Sequence, residues 1–314
     1  MSRAFIFPGQ GSQYSGMGKA LAESFPIARE VFEEVNDALS QDLTSIMWAE
    51  DTTALNMTEN TQPALMAVSV AVWRVLATQS GKSLEELAQF AAGHSLGEYS
   101  ALTVTEALTL SDTARLLKLR GQAMQRAVPV GQGAMAAILG LDYDDVQKIA
   151  EEASKEETCE AANDNSPGQV VISGHKAAVA LAINLATERG AKKAVELPVS
   201  APFHCTLMAP AATEMQQALA DTTIKSPLIP IISNVLAAPT QDPEHIKDLL
   251  VQQITGTVRW RESMLWLKEN NISELTELGA GKVLSGLARR IDRELSATSV
   301  ETPEQIDALL AALA

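Results

Sequence analysis

Short apolar runs alternate with longer stretches of helical periodicity along most of the chain. This alternation predicts an α/β protein built around a mostly parallel sheet. Strands are predicted at residues 4–7, in a short run ending near residue 93, and at residues 133–140, 158–162, 169–173, 194–199, 230–234 and 274–278. Helices are predicted at residues 27–39, 64–78, 112–127, 144–154, 176–188, 207–219, 244–253, 260–270 and from residue 282.

The middle of the chain has a pattern of its own. Between Pro129 and Pro202 the predicted elements follow the order βαββαβ. This order is the split βαβ arrangement of ferredoxin-like folds. We therefore predict a small ferredoxin-like subdomain at residues 129–199, inserted into a larger, discontinuous subdomain formed by residues 1–128 and 200–314.

The overall composition is typical of a globular protein, with 46% hydrophobic and 20% charged residues among 314. The longest apolar stretch, residues 64–73, is about half of the ~18–20 residues that a membrane span requires. The first residues enter a strand directly and lack the apolar region of a secretory leader. Cys159 and Cys205 are too few for a disulfide framework and lack metal-ligand spacing. We therefore expect a cytoplasmic protein with no membrane span and no metal site.

The charge balance limits the class of partner. The chain carries 24 basic and 39 acidic side chains, which gives a formal net charge of −15. Nucleic acid is not expected as a ligand, because binding to phosphates depends on Lys and Arg. An anionic partner would have to be met by a local concentration of positive charge.

Candidate chemistry begins at Gly93, Ser95 and Gly97, which form the pattern G-x-S-x-G. In this nucleophile elbow a strand turns sharply into a helix and presents the serine hydroxyl at the turn. Glycine is needed on both sides because a Cβ would obstruct the turn. The predicted strand before the motif and helix after it are the surroundings that favour a nucleophilic serine over a plain Gly/Ser turn.

A serine hydroxyl needs a base to become nucleophilic at neutral pH, and histidine is the usual one. His94 lies inside the elbow, where a surface or packing role is expected, and His175 precedes a helix as a structural residue. His245 lies among charged residues and is expected to be exposed. His204 follows Ser95 in the chain and lies in a segment interrupted by prolines, so it is the favoured base by elimination.

The loop at residues 8–13, PGQGSQ, follows the first strand and opens at the edge of the sheet where ligands bind. A phosphate-binding P-loop is excluded, because Gln13 and Ala20 stand where glycine and Ser/Thr are required. The dinucleotide pattern fails at Tyr14. What remains is Gln10 between two glycines, whose backbone N–H could serve an oxyanion. A simple tight turn explains the loop equally well.

Five segments, in this order, resemble the malonyl-CoA:acyl carrier protein transacylases of fatty acid synthesis. The resemblance extends from the first strand to residues 281–291, which is nearly the whole chain. The segments are FPGQGSQ at residues 7–13, GHSLGEYSAL at 93–102, RGQAMQ at 120–125, NSPGQVVISG at 165–174 and PVSAPFHC at 198–205.

The resemblance implies a role for each matched position. It implies that Ser95 is acylated, that His204 is the base and that Arg120 binds the carboxylate of the substrate. The oxyanion hole would be formed by the backbone N–H groups of Gln10 and Leu96. The family fold implies an α/β-hydrolase-like large subdomain together with the ferredoxin-like small one, in agreement with the insertion predicted above.

The family orients its histidine with a backbone carbonyl, and the resemblance assigns that carbonyl to Gln253. The chain departs from the family pattern just after this position. It has Thr255, Gly256 and Thr257 where an Asn-Pro pair is usual, so the motif alone does not fix where the carbonyl lies.

The activity that the resemblance implies is transfer of a malonyl group from malonyl-CoA to the phosphopantetheine thiol of acyl carrier protein. A malonyl-serine intermediate would divide the reaction into two halves, and no bound cofactor is implied. The partners are then malonyl-CoA and the acidic carrier protein. We expect the carrier protein to meet positive charge on five residues, Lys192, Lys193, Lys282, Arg289 and Arg290; ordinary solvated charges explain this cluster equally well.

Two other classes of function compete with this one. A serine hydrolase or thioesterase would share the elbow and the histidine but would release its acyl group to water. A non-catalytic protein that binds the carrier would not become acylated at all. The presence of Ser95, His204 and Arg120 together favours the transferase.

Overall fold

Two β-sheets and the helices packed on them form the structure, a computed structural model that describes residues 2–199 and 201–313. The elements in chain order are β1 (Arg3–Phe7), α1 (Lys19–Ser24), α2 (Pro26–Leu39), α3 (Leu43–Trp48), α4 (Thr58–Ser80), α5 (Leu84–Leu87), β2 (Phe90–Gly93), α6 (Gly97–Val104), α7 (Leu110–Ala127), β3 (Gly133–Leu139), α8 (Tyr143–Ala153), β4 (Cys159–Ser166), β5 (Gln169–His175), α9 (Lys176–Glu188), β6 (Lys193–Glu196), α10 (Ala209–Ala220), β7 (Ile231–Ile232), β8 (Pro239–Thr240), α11 (Pro243–Thr255), α12 (Trp260–Glu269), β9 (Glu274–Leu278), α13 (Val283–Ile291), β10 (Ser296–Val300) and α14 (Pro303–Leu313). A short 3₁₀ turn, Thr206–Met208, precedes α10.

The first sheet has six strands in the order β10-β9-β1-β2-β7-β8. Neighbouring strands are parallel except for β8, which runs antiparallel to β7. Phe7 at the end of β1 pairs with Gly93 at the end of β2. The loops that follow these strands therefore begin side by side at the carboxyl edge of the sheet, where ligands bind in parallel sheets.

Both faces of this sheet are covered, as parallel sheets require. Phe5 and Phe7 of β1 pack into the larger hydrophobic cluster, which includes residues of α2, α4, α7 and α10. Ala4 and Ile6 point to the opposite face and pack with α12 and α13. Because alternate residues are buried on opposite faces, β1 appears in the sequence as a continuous apolar run.

The second sheet is antiparallel and has the strand order β4-β5-β3-β6. Its chain order, β3-α8-β4-β5-α9-β6, is the βαββαβ order predicted from the sequence. Apolar residues of α8 and α9 form a separate cluster against one face of this sheet. The overall architecture is therefore mixed α/β, with a sheet rich in parallel pairs and a smaller antiparallel one.

The outer strand of the antiparallel sheet is joined to the segment that precedes α12. Val258 donates its N–H to the carbonyl of Ala162 at 2.9 Å, and its own carbonyl accepts from the N–H of Asp164 at 2.9 Å. The Asp164 carboxylate is 1% exposed at the side chain and forms an ion pair with Arg261 at 2.8 Å. These contacts hold β4 beside the segment that leads into α12, and α12 packs on the first sheet.

Several predicted boundaries were wrong. The helix predicted from residue 64 begins at Thr58, because a first turn closes ahead of Pro63 with Thr61 N–H on the Met57 carbonyl. The helix predicted at residues 112–127 begins at Leu110 and is capped by Thr109, whose hydroxyl accepts the N–H of Asp112. The strand predicted at 230–234 contains only two residues.

Other elements were not predicted at all. They are α1, α3, α5, β8, β10 and α14. Most of these are too short to establish a period, and β10 contains Ser296, Thr298 and Ser299, so it has little apolar alternation. Within residues 2–199 and 201–313, no helix is long and apolar enough to cross a membrane.

Candidate active site

The turn after β2 approaches neighbouring backbone so closely that two of its positions exclude any side chain. A Cβ on Gly93 would lie 1.9 Å from the backbone of Gly97, and a Cβ on Gly97 would lie 2.3 Å from the carbonyl oxygen of Phe7. Ser95, at the apex, has a φ of 53°. Non-glycine residues seldom adopt this left-handed conformation, so the surrounding contacts must hold it.

Asn234, just after β7, braces the turn from the next strand. Its Oδ1 accepts the N–H of Ser95 at 2.7 Å, and its Nδ2 donates to the carbonyl of Gly93 at 2.6 Å. The two bonds satisfy backbone groups that the sharp turn leaves without strand or helix partners. Asn234 was not predicted from the sequence to be part of the site.

Ser95, His204 and Gln253 form a continuous hydrogen-bonded line. Ser95 Oγ lies 2.7 Å from His204 Nε2, and His204 Nδ1 lies 2.8 Å from the carbonyl oxygen of Gln253. A carbonyl can only accept, so Nδ1 carries the proton and Nε2 presents its lone pair to the serine hydroxyl. The carbonyl is free to accept because Gln253 lies in the last turn of α11, where carbonyls have no partner within the helix.

The environment of His204 keeps its imidazole neutral. The residue is 4% exposed, and burial together with the neighbouring Arg120 cation lowers the pKa of His204 to about 3. At neutral pH the ring is therefore uncharged, and its Nε2 can accept a proton from Ser95. The ring is placed by a backbone with a φ of 58°, in a segment that begins at Pro202.

Arg120, on α7, places a buried cation beside the serine. Its guanidinium donates to Gln62 Oε1 at 2.9 Å, to Gln253 Oε1 at 2.8 Å and to Ser95 Oγ at 3.2 Å. All three acceptors are neutral oxygens, and the residue is only 1% exposed. Its Nε has no hydrogen-bond partner among the residues that the structure describes. Burial lowers the pKa of Arg120 from its usual value.

The side chains of Gln253 and Glu98 are hydrogen-bonded to each other next to Ser95 and Arg120. Gln253 Nε2 donates to the carbonyl of Ser95 at 3.0 Å and to Glu98 Oε2 at 2.8 Å. Burial raises the pKa of Glu98 to about 7, although hydrogen bonds from Gln253 and Asn234 act in the opposite direction. From the sequence, only the carbonyl of Gln253 was predicted to act in the site. Glu98 was not predicted, and its one signal in the sequence is a charged residue inside the elbow helix.

Gln10 and Leu96, whose backbone N–H groups the resemblance assigns to the oxyanion hole, line the same cavity as Ser95. Neither N–H makes a hydrogen bond within the described part of the chain. Leu96 directly precedes α6, whose first N–H groups have no partner within the helix. The two loops touch, since a Cβ on Gly9 would lie 2.6 Å from the carbonyl oxygen of His94.

The cavity has a volume of about 480 Å³ and lies between the carboxyl edge of the first sheet and the antiparallel sheet. Ser95, His204 and Arg120 line it. Its wall also carries several neutral carboxamides, namely Gln10, Gln13, Asn56, Gln62, Asn163, Asn165 and Gln169. The site can therefore hold a polar, neutral chain that ends in a negative group near Arg120.

The other histidines have structural contacts. His94 lines the cavity, where its Nε2 lies 2.8 Å from Asn165 Oδ1 and its ring packs against Trp260. His175 Nδ1 accepts the N–H of Thr158, and His245 is exposed. Cys159 and Cys205 are buried free thiols. Within the described ranges, no group of three or more His, Cys, Asp or Glu residues is arranged to hold a metal ion.

Comparison with known proteins gives a consistent result. Residues 4–278 match the family model of the acyl transferase domain. The chain is 44% identical over 307 residues to the malonyl CoA-acyl carrier protein transacylase of Escherichia coli strain K12. The match covers 98% of this chain and 98% of that protein.

Solved structures agree over the same length. The acyl-carrier-protein S-malonyltransferase of Bartonella henselae superposes with a TM-score of 0.97 at 54% identity, covering 100% of this chain and 99% of the other. A malonyl-transacylase solved in complex with its type II polyketide synthase acyl-carrier protein has a TM-score of 0.96 at 41% identity, covering 99% and 100%. This chain therefore belongs to the acyl transferase family, and within it to the malonyl-CoA:acyl carrier protein transacylases.

Proposed function

We propose that this protein transfers the malonyl group of malonyl-CoA to the phosphopantetheine thiol of acyl carrier protein, through a malonyl-serine intermediate at Ser95. One observation carries the choice of acyl group. Arg120 is a buried cation that makes no ion pair in the described structure, and its Nη2 lies 3.2 Å from the Ser95 hydroxyl. An acyl group that carries its own carboxylate would supply the missing anion.

The first half of the reaction uses the serine and the histidine. Ser95 Oγ attacks the thioester carbon while its proton passes to His204 Nε2, which already lies 2.7 Å away. The tetrahedral intermediate collapses when the C–S bond breaks, and the CoA sulfur takes the proton from His204 as it leaves. The Gln253 carbonyl positions the imidazole and stabilises the imidazolium that forms in between.

The developing negative charge on the thioester oxygen needs hydrogen-bond donors. We assign this role to the backbone N–H groups of Gln10 and Leu96, which have no other partner in the described structure. Loss of a single oxyanion donor typically slows acyl transfer by about 10²–10³-fold, so these groups contribute substantially to the rate. Because both donors are backbone groups at the carboxyl edge of the sheet, they are held in place before the substrate binds.

The second half reverses the first, with the carrier protein's thiol in place of CoA. The phosphopantetheine thiol gives its proton to His204 and attacks the malonyl-serine carbon, and Ser95 leaves as the restored hydroxyl. Both thiols end the same pantetheine arm, so one cavity serves donor and acceptor. No metal or bound cofactor is required, since every proton and acyl transfer uses the groups named above.

For the docking surface of the carrier protein we propose the positive charge beside the cavity. Arg290 donates to Gln169 Oε1 at 2.7 Å, and Gln169 lines the cavity. Leu139 pairs with Gln169 on one side and with Lys193 on the other, so Lys193 lies two strands, about 10 Å, from Gln169. Lys192 and Arg289 are also exposed and directly precede Lys193 and Arg290 in the chain. We assign them, together with the exposed Lys282, to the same positive patch.

A hydrolase with the same serine and histidine is the competing function, and a simple experiment separates the two. The protein is mixed with malonyl-CoA alone, and its intact mass and the free malonate are followed. A transferase accumulates malonyl-protein with little malonate, whereas a hydrolase releases malonate continuously. Ser95→Ala should abolish the adduct, and Ser100→Ala, a buried position in the same helix, should retain it. An unmodified wild-type protein would refute the proposal.

The family resemblance also implies how the fold divides into two subdomains. We propose that residues 1–128 and 200–314 form an α/β-hydrolase-like subdomain and that residues 129–199 form a ferredoxin-like one. The strand order β4-β5-β3-β6 within the second range supports this division. We also propose a cytoplasmic location, which the two buried free thiols support because disulfides are rare in that compartment.

A further inference from the structure

Glu98 is a buried carboxyl that the proposed chemistry does not use. It lies in the first turn of α6, three residues after Ser95, and is 1% exposed. Its Oε2 accepts two hydrogen bonds, from Gln253 Nε2 at 2.8 Å and from the N–H of Asn234 at 3.1 Å. A buried carboxyl is costly in free energy, so its retention beside the nucleophile calls for a physical reason.

The carboxamide of Gln253 connects Glu98 to Arg120. Its Nε2 donates to Glu98 and also to the carbonyl of Ser95 at 3.0 Å, and its Oε1 accepts from Arg120 Nη2 at 2.8 Å. A guanidinium can only donate, and the Glu98 oxygen accepts both of its hydrogen bonds. The amide therefore satisfies both neighbours in one orientation only. In the flipped orientation, its oxygen would face the carboxyl of Glu98 and its NH₂ group would face the cation.

We propose that Glu98 is a positioning residue, which fixes the orientation of the Gln253 carboxamide and thereby holds the Arg120 guanidinium where the carboxylate of the acyl group binds. This inference rests on the proposed function, because it assigns that carboxylate to Arg120. The other side-chain anchors of the guanidinium are Gln62 Oε1, at 2.9 Å, and the reacting hydroxyl of Ser95 itself. Without the Gln253 anchor, Gln62 would be the one fixed hydrogen-bond acceptor of the guanidinium among the described residues, and the Tyr99 ring, with its centroid 5.7 Å from Arg120 Cζ, the remaining contact.

The effect should fall on the recognition of malonyl rather than on the serine and histidine. The Gln253 carbonyl that binds His204 belongs to the backbone of α11, and the helix holds it whatever the side chain does. Asn234 retains its own two bonds to the elbow through its side chain. Without Glu98 the carboxamide keeps only one of its two donor contacts, the one to the Ser95 carbonyl, so it is held less firmly and lets Arg120 move while the base stays in place.

The test measures the second-order rate constants of Ser95 acylation by malonyl-CoA and by acetyl-CoA, from intact mass over time. Glu98→Leu should lower the malonyl-to-acetyl ratio about 10- to 100-fold, the scale of a misplaced binding group. Glu98→Gln, whose amide oxygen can accept both bonds, should stay within about threefold of wild type. The matched control is Glu277→Leu, which removes a buried carboxyl that accepts the N–H groups of Leu284 and Ser285; it should preserve the ratio.

A double variant tests the route through Gln253. Gln253→Leu alone should lower the ratio to a similar extent, and adding Glu98→Leu to it should lower the ratio no further. Additive effects, or an unchanged ratio in folded Glu98→Leu, would overturn the proposal. If Glu98→Leu does not fold, an unchanged ratio in Gln253→Leu overturns it equally. A wild type that is not acylated refutes the proposed function instead, so the two failures are distinguishable.

Discussion

Arg120 Nη2 lies 3.2 Å from Ser95 Oγ, so the buried cation and the hydroxyl share one end of the cavity. A reacting thioester carbon must come within about 3–3.5 Å of the hydroxyl oxygen. The carboxylate carbon of a malonyl group is separated from that carbon by a single methylene. The separation of the two protein groups therefore matches a short acyl chain that carries a terminal carboxylate.

The first prediction concerns the choice of acyl group. Arg120→Ala should reduce the rate of Ser95 acylation by malonyl-CoA by about 10²–10³-fold, because the substrate carboxylate would be buried without its cation. The rate with acetyl-CoA should fall far less, since acetyl has no carboxylate. Both rates are followed by intact mass.

Arg126→Ala is the control for Arg120. It removes a partly exposed guanidinium on the same helix, one that pairs with Glu214 at 2.6 Å. Both acylation rates should remain near those of wild type. Equal losses for malonyl and acetyl in Arg120→Ala would contradict the assignment of Arg120 to the carboxylate.

The second prediction concerns the steric requirement of the elbow. A Cβ on Gly97 would lie 2.3 Å from the carbonyl oxygen of Phe7, so Gly97→Ala must push β1 and α6 apart. We expect a lower melting temperature and a loss of acylation by at least about 10²-fold, because Ser95 and the proposed oxyanion donors move together. Thermal unfolding and intact mass measure the two effects.

Gly286→Ala is the matched control for Gly97→Ala. Gly286 is exposed within α13, and a Cβ there meets no atom within 4 Å. Alanine should stabilise the helix by about 0.5–1 kcal/mol and leave acylation by malonyl-CoA unchanged. If Gly97→Ala behaved like Gly286→Ala, the close approach would have no functional consequence.

The sequence was sufficient to predict the elbow because its requirement is local. Gly93, Ser95 and Gly97 lie within five residues, and the strand before them, which is brief and weakly periodic, is placed mainly by the turn that these residues form. The βαββαβ order was also predictable, since its elements are long enough to show a period. Family resemblance added Arg120 and Gln253, which no local pattern distinguishes.

The support behind the site could not be predicted in this way. The hydrogen bond between Glu98 and Gln253 joins residues 155 positions apart, and the one between Asn234 and Ser95 spans 139. Such contacts depend on how strands and helices are arranged in space. Asn234 follows β7, a strand of two residues, which has no periodicity to place it beside β2.

The third prediction concerns the protonation of His204. Its pKa is lowered to about 3 by burial and by the Arg120 cation, so the imidazole should remain neutral, with its proton on Nδ1, well below pH 5. NMR of ¹⁵N-labelled imidazoles measures this, with His204→Gln to assign the resonance. In Arg120→Ala the pKa of His204 should rise, because one cause of its shift is gone. Titration near 6.5 in the wild type would contradict the prediction.

The fourth prediction concerns stability and pH. Burial raises the pKa of Glu98 from 4.5 to about 7 in the folded protein. Between these values the folded state retains a proton that the unfolded state releases, so this group destabilises the fold as pH rises through the window. Glu98→Gln removes the effect. Its free energy of unfolding relative to wild type should increase by roughly 1–3 kcal/mol between pH 4.5 and pH 8.

Urea denaturation at the two pH values measures the free energy difference for Glu98→Gln. A difference that stays constant with pH would show that the carboxyl does not change its protonation on folding. The same variant is expected to keep its malonyl-to-acetyl ratio, so stability and acyl selectivity can be followed separately in one protein.

The last prediction concerns the carrier protein. The chain has a formal charge of −15, so an acidic partner is repelled over most of the surface and attracted only where positive charge is concentrated. Arg290→Glu and Lys193→Glu should therefore raise the KM for the carrier protein by about tenfold or more at low salt and leave the KM for malonyl-CoA unchanged. Arg115→Glu reverses an exposed charge beside acidic residues of α2 and should alter neither value. If the KM rose equally for the carrier protein and for malonyl-CoA, the patch would act on binding in the cavity and not on docking. A docking surface affects the encounter with the carrier protein and leaves the binding of malonyl-CoA unchanged.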